Sequence, residues 1–271
     1  MSDATSKPAS VFRWAAGSPP TESHDELARE EPLEIRVRGR AVSVTMRTPG
    51  HDEELAIGFL LAEGMIRGAD DVAHTAPSAR HPEGNIIDVF LAAGVEIDFD
   101  RLTRHVFASS SCGLCGKASI EAVHCHFDPV ESDATVAADV LLTLPQALRD
   151  VQTTFERTGG LHAAALFETD GNLIVIREDV GRHNAVDKVL GYALLHDLLP
   201  LDRTVLMISG RASFEIMQKS LAGRIAIVAA VSAPSGLAAE FARDSGQTLV
   251  GFLRDQRLNV YAEPQRVIFP K

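Results

Sequence analysis

The sequence predicts an α/β protein: a three-layer sheet with parallel crossovers, preceded by a smaller N-terminal α+β region. Three observations predict it. The short apolar runs "TVLMIS", "IAIVAAVS" and "TLVGFL" recur between residues 204 and 253. The intervening "ASFEIMQKSL" and "PSGLAAEFARD" have helical spacing and the length that a crossover between parallel strands needs. Upstream of residue 161 the pattern is less regular, which confines the repeating strand–helix–strand order to the second half.

In chain order, residues 1–31 mix Ser, Pro, Ala and acids without apolar periodicity and are expected to form a flexible leader. Ile35 and Val37, then Val42, Val44 and Met46, alternate with polar residues about Arg38-Gly39-Arg40, the pattern of a hairpin. "DEELAIGFLLAEGMI" opens with acids favoured at a helix N-terminus and places Leu55, Phe59, Ala62 and Ile66 along one side. "NIIDVFLA" reads as a strand, and "KASIEAVHCHF" is compatible with a helix. "LPQALRDVQTTFERTGG" has helix spacing closed by glycines. "LHAAALFE" and "LIVIRE" flank the turn Thr169-Asp170-Gly171-Asn172 and form a second expected hairpin. "HNAVDKVLGYALLHD" then sets Val186, Val189, Leu190, Ala193 and Leu194 on one helical face. The expected division is therefore residues 1–31 as leader, 32–108 as the N-terminal α+β region, 109–127 as a cysteine loop with its following helix, and 128–271 as the α/β domain.

The chain has 271 residues, 45% of them hydrophobic and 23% charged, which suits a protein with a sizeable core. A net charge of -11 argues against a general affinity for nucleic acid, while leaving room for a local anion site. No apolar run is long enough to span a bilayer, and the start lacks the pattern of a secretory signal, so a cytoplasmic protein is expected. Three cysteines are too few for a disulfide scaffold of this length, and a CxxC in a reducing compartment points to metal, redox or nucleophilic chemistry.

In an open α/β sheet, ligands bind where strands end and helices begin. Three such junctions are readable: "EDVGRHNAVD", "ISGRASFE" and "VSAPSG". Arg182, His183 and Arg211 equip the first two to hold a phosphate, although glycines and serines there also serve as helix caps. None matches the P-loop pattern or a dinucleotide fingerprint. His162 and His183 are each candidate acids or bases, with Glu178, Asp179 and Asp187 close in sequence to His183, yet an isolated histidine is commonly structural. Read by themselves, Arg254 and Arg257 of "GFLRDQRLNVY" are surface charges.

The pair Cys112 and Cys115 in "SSSCGLCGK" admits several chemistries. Zinc would recruit Cys125, His124 or His126, but ten helical residues separate Cys115 from Cys125 by roughly 15 Å, too far for a shared ion. The deaminase pattern needs a proline before its CxxC, and Ser111 stands there. No metal site is therefore expected. A helix beginning near Lys117, with that ammonium, would favour the thiolate at Cys115, and the flanking glycines would admit a partner closely. An accessible, reactive thiol pair is the expectation, with Cys125 an ordinary small residue.

Together "SSSCGLCGK", "TGGLHAAAL", "REDVGRHNAVDKVLG", "SGRASFEIMQK", "VSAPSGLAAEFA" and "TLVGFLRDQRLNVY" resemble the FdhD family of sulfurtransferases, from about Leu33 to the end of the chain. The resemblance implies a cytidine-deaminase-like α/β fold without the deaminase zinc site. It also implies that sulfane sulfur is taken from a cysteine desulfurase as a persulfide. That sulfur then passes to the molybdenum of the bis(molybdopterin guanine dinucleotide) cofactor before the cofactor enters formate dehydrogenase. Carried over by motif, Cys112 and Cys115 handle the sulfur; Cys112 is taken as the persulfide bearer, an assignment the motif leaves open between the two thiols. Phe252, Leu253, Arg254, Asp255, Gln256 and Arg257 match the segment that contacts the cofactor, against the surface-charge reading of the two arginines. Arg211 and His183 are further expected contacts for a guanine nucleotide, and the family implies a homodimer with one site for each guanine moiety. A noncatalytic cofactor-binding chaperone and a thiol-disulfide oxidoreductase are the competing readings.

Overall fold

The computed structural model describes residues 5–78, 84–97, 99 and 127–270. Residues 5–31, expected as part of a loose leader, are built differently. β1 (Ser6–Arg13) pairs antiparallel with β2 (Thr21–Ala28) from Ser6↔Ala28 to Arg13↔Thr21. Periodicity misses this ribbon because neither face is core; most of its side chains are exposed or half-buried. Its backbone ladder is supplemented by an Arg13–Asp25 ion pair at 3.3 Å and by Arg29 Nε donating to the Ser6 carbonyl at 3.0 Å.

β3 (Glu31–Val37) and β4 (Arg40–Arg47) form the expected hairpin, and Arg38 and Gly39 both take positive φ, as a two-residue turn of type I′ requires. With β5 (Val72–Pro77) and β6 (Ile86–Leu91) they make a four-stranded sheet in the order β4-β3-β6-β5. Alternation sends Leu33, Ile35, Val37 and Val89 into the core at 0% exposure. Also in that core is α1 (Asp52–Ala62), whose first turn carries Asp52, Glu53 and Glu54.

The single apolar stripe expected on α1 is too narrow a description. Ala56, Ile57, Leu60 and Leu61 are buried too, because α1 also packs against α4 (Arg182–Leu195). The two helices cross at glycines. A Cβ on Gly58 would stand 1.8 Å from the Asp187 carbonyl oxygen, and one on Gly191 would stand 1.9 Å from that of Glu54. Only hydrogen at both positions permits this approach.

After the two-residue strand β7 (Val136–Ala137), which pairs in parallel with Val267–Ile268, the larger sheet contains β8 (His162–Glu168), β9 (Leu173–Asp179), β10 (Thr204–Ile208), β11 (Ile227–Ala230), β12 (Thr248–Arg254) and β13 (Arg257–Ala262), in the order β13-β12-β11-β10-β8-β9. The middle strands β10, β11 and β12 are parallel, joined through α5 (Phe214–Ala222) and α6 (Gly236–Asp244), as the strand–helix alternation predicts. At the flanks tight turns join β8 to β9 and β12 to β13, which makes those pairs antiparallel; β8 is also antiparallel to β10, because the helix α4 carries the chain from β9 across β8 to its other side. The sheet is thus mixed.

The helix expected over "LPQALRDVQTTFERTGG" divides into α2 (Ala138–Asp150) and α3 (Thr153–Thr158). The Glu178 carboxylate accepts the Thr154 and Phe155 amides at 3.0 and 2.8 Å, starting a new helix, and Gly159 ends it in the left-handed region.

Candidate functional site at the sheet edge

The C-terminal ends of β9, β10 and β11 and the start of β8 meet at one edge of the large sheet, where α4, α5 and α6 begin. Three helix N-termini gathered there supply unpaired amides and a favourable field for an anion. Hydrogen bonds join the turns in series. Ser209 N donates to Ala163 O at 3.0 Å, Ser209 Oγ accepts from Ala163 N at 2.9 Å, Ser235 N donates to Ala212 O at 3.0 Å, and Phe252 N donates to Ser232 O at 3.1 Å. The turns that carry His183, Arg211 and "FLRDQR" are therefore parts of one edge, although they are distant in sequence.

His183 sits in the first turn of α4, and its Nε2 lies 2.8 Å from Glu215 Oε2 and 3.3 Å from Ser213 Oγ, both at the start of α5. Because the serine and the carboxylate share one ring nitrogen, this is not a nucleophile–base–orienter triad, which needs them on opposite nitrogens. Burial pushes His183 below the ordinary histidine value despite the pull of Glu215. Burial by itself raises Glu215, but His183, Lys219 and Arg182 outweigh it and leave that carboxyl below its usual range. At neutral pH the arrangement is a neutral imidazole donating to a carboxylate. Burial and the neighbouring Arg182 and His183 also push His162 down. A methyl on Gly210 would stand 3.4 Å from His162 Nδ1 and 3.8 Å from Arg182 Cδ, so both side chains flank that turn. Among the described residues, Arg182 Nε and Glu215 Oε1 are buried without a hydrogen-bond partner. One donor and one acceptor thus remain uncommitted at this edge.

The carboxylates near His183 in sequence are occupied elsewhere. Glu178 caps α3. Asp179, at 0% exposure, accepts from Gly181 N at 2.8 Å, Asn184 Nδ2 at 2.9 Å and Thr48 N at 3.1 Å, and pairs with Lys188 Nζ at 2.7 Å. Lys188 also donates to Thr48 O at 2.9 Å. Asp187 takes Lys219 Nζ on both oxygens, at 2.7 and 2.9 Å, and burial pushes its carboxyl up to about 6 against that ammonium. Sequence proximity missed Glu215, which the β10–α5 junction motif carries in plain view but which only the parallel sheet brings to His183.

Arg211 is exposed beside these groups. Phe252 is half-buried with φ of 50° at an irregularity in β12, next to the β11–α6 turn. Leu253 is 0% exposed, so its side chain belongs to the core and it can offer a ligand only its backbone. Asp255 and Gln256 form the β12–β13 turn in the left-handed region, and the Asp255 carboxylate lies 3.8 Å from both Arg254 and Arg257. Both guanidinium groups are exposed, and they share one oxygen of that carboxylate.

Cys112, Cys115, Lys117, His124, Cys125 and His126 lie outside the described residues. Among the described residues no three of His, Cys, Asp and Glu gather as a metal site, and no helix is long and apolar enough to cross a membrane. His-x-Glu occurs three times in the sequence: His24-Asp25-Glu26 in β2, where Glu26 pairs with Arg157, His51-Asp52-Glu53 at the start of α1, and His81-Pro82-Glu83, which lies outside the described residues.

The model of the FdhD/NarQ family matches residues 28–268. A protein named sulfur carrier protein FdhD from Mycolicibacterium paratuberculosis is 54% identical over 253 residues, covering 90% of this chain and 92% of its own. A namesake from Streptomyces avermitilis is 51% identical over 251 residues, covering 90% and 89%. A crystal structure described as a formate dehydrogenase accessory protein from Desulfotalea psychrophila superposes with a TM-score of 0.79 at 26% identity, over 97% of this chain and 100% of that one. With the family model matching residues 28–268 and relatives at about half identity over nine-tenths of the chain, the chain belongs to the FdhD/NarQ family.

Proposed function

We propose that the chain is a sulfur carrier that accepts persulfide sulfur from a cysteine desulfurase and delivers it to a bis(molybdopterin guanine dinucleotide) molybdenum cofactor, held as substrate, before the cofactor enters formate dehydrogenase. The observation that carries this reading is the identity of more than half to relatives named sulfur carrier proteins, over nine-tenths of both chains. In the first step a Cys112 thiolate attacks the outer sulfur of the donor's persulfide. A new S–S bond forms as the donor's breaks and the donor cysteine leaves as thiolate, so no outside oxidant is needed. Cys115 then either relays the sulfur or releases it as hydrosulfide by closing a disulfide with Cys112, which a thiol reductant reopens.

The sheet edge supplies the cofactor-binding half of this reading. A guanine nucleotide end carries phosphates, and the N-termini of α4, α5 and α6 with Arg182 and Arg211 are suited to them. Arg254 and Arg257 on the β12–β13 turn add two more guanidinium groups that can fold over a bound anion. The mixed six-stranded sheet supports a cytidine-deaminase-like reading of the α/β part. Free-thiol chemistry suits a reducing, cytoplasmic setting.

Incubation with a cysteine desulfurase and cysteine, followed by intact-mass spectrometry, tests the transfer. The expected result is a gain of one sulfur atom that is lost in Cys112→Ala. No gain in the wild-type protein, with undiminished binding of guanosine diphosphate, would instead establish a cofactor-binding chaperone; rapid reduction of a protein disulfide would establish an oxidoreductase.

A further inference from the structure

We propose that an anion at the sheet edge is bound by a protonated His183, steered by Glu215, so that each binding event takes up one proton from solvent. The inference rests on the anion-binding reading of this edge given above and adds how the site is charged. Four side chains on two helices carry it. His183 and Asp187 lie four residues apart on α4, and Glu215 and Lys219 lie four residues apart on α5, so each helix presents its pair on one face. Two rungs join the helices. His183 Nε2 lies 2.8 Å from Glu215 Oε2, and Lys219 Nζ reaches both Asp187 oxygens at 2.7 and 2.9 Å.

The second rung is a buried ion pair whose charges cancel, and Lys219 is committed there to Asp187. The first rung is unequal, because a neutral imidazole facing a carboxylate leaves one negative charge. A carboxylate beside an anion is unfavourable unless a positive charge stands between them. Ser213 Oγ, at 3.3 Å, and Glu215 both hold Nε2, which leaves Nδ1 as the open nitrogen of the ring. It bonds to no described residue, and the side chain keeps 17% exposure. An anion on Nδ1 has the ring between itself and Glu215, so a proton at Nδ1 satisfies both.

Two neighbours point to an anion there. His183 is the second residue of α4, ahead of the first intrahelical bond, from Ala185 N to Gly181 O. The residue before it, Arg182, has its Nε buried without an acceptor. An unmet guanidinium donor needs an acceptor from outside the chain, and a phosphate oxygen provides one. The charged groups facing His183 are Arg182 of its own helix, Glu215 and Lys219 of α5, and His162 at the start of β8. Burial, Lys219 and Arg182 keep the unoccupied ring neutral against the pull of Glu215. A unit negative charge about 4 Å from the ring raises its proton affinity by roughly a thousandfold at an effective dielectric of about 20. The proton enters from solvent at Nδ1 and is donated to the anion, while the Nε2 proton stays donated to Glu215.

Calorimetric titration of the full chain with guanosine diphosphate mannose tests the proposal, because the two phosphates of that ligand carry no proton that titrates near neutral pH. At pH 7, in buffers of different ionisation enthalpy, binding is expected to take up close to one proton. The dissociation constant should rise by up to about tenfold from pH 7 to pH 8. His183→Gln should bind more weakly and without proton uptake. Glu215→Gln, which keeps an acceptor for Nε2 but removes the charge, should take up a smaller fraction of a proton. Both variants should keep the circular dichroism of the wild type. Wild-type binding without proton uptake, or uptake that survives His183→Gln, would overturn the proposal and leave the anion site standing. Absence of any binding would overturn both.

Discussion

Gly58→Ala isolates the contact that joins the two halves of the molecule. On an exposed helix face this substitution stabilises by about 1 kcal/mol, because alanine is the better helix former. Here the new Cβ would stand 1.8 Å from a backbone carbonyl oxygen, against the 3.4 Å at which ordinary contact begins. Helices α1 and α4 must therefore separate by roughly 1.6 Å, since a carbonyl inside α4 cannot rotate aside as a side chain could. Overpacking of cores costs about 1–3 kcal/mol, and a clash with backbone belongs at or beyond the upper end. Subtracting the propensity gain leaves a net loss of roughly 2 kcal/mol or more. Urea unfolding of the full chain, followed by circular dichroism, measures it. Gly191→Ala meets the Glu54 carbonyl at the same crossing, so the double variant should lose less than the two singles together. A Gly58→Ala protein as stable as the wild type would refute the close-crossing argument, and strict additivity would refute the shared site.

Lys188→Met removes the ammonium from a carboxylate at 0% exposure and is expected to cost about 3–5 kcal/mol in the same assay. The Asp179→Asn/Lys188→Met pair should recover part of that loss, and no recovery would show that Lys188 acts by volume alone. The edge histidines set a pH dependence. His162 and His183 lie below 6.5 when folded, so as pH falls below 6.5 the unfolded chain takes up protons first and stability drops. Asp187 has the opposite sign: its folded value of about 6 exceeds 3.8, so its contribution is present below 3.8 and is lost as pH rises through about 6. Urea midpoints between pH 7 and 5 should therefore fall less steeply in His183→Gln than in the wild type. Equal slopes would show that His183 titrates as freely folded as unfolded.

The legible parts of this fold are those in which one face of an element is buried. β3, β6 and β10 to β12 announce themselves because their inward residues alternate or run together, and Gly39, Gly159 and Ser235 mark turns and caps by local chemistry. The β1–β2 ribbon escapes the same reading because its order comes from a backbone ladder and ion pairs, which no apolar period records. The site divides along a similar line. Its turns are visible as Gly, Ser and Arg at strand ends, but its pairings are not: His183 bonds to Glu215 of the next helix, and Glu178, Asp179 and Asp187 each hold a different element. Those pairings carry a structural consequence. Asp179 binds the Gly181 amide, which opens the His183 turn, and through Thr48 and Lys188 the loop between β4 and α1. The adjoining Glu54–Arg177 pair and the Gly58–Gly191 crossing tie the same two parts. The N-terminal sheet with α1 and the α/β part thus share a buried polar joint. The N-terminal sheet is accordingly a support for the turn that carries Arg182 and His183, and loosening it at Thr48 or Gly58 should disturb that edge before it disturbs the parallel strands.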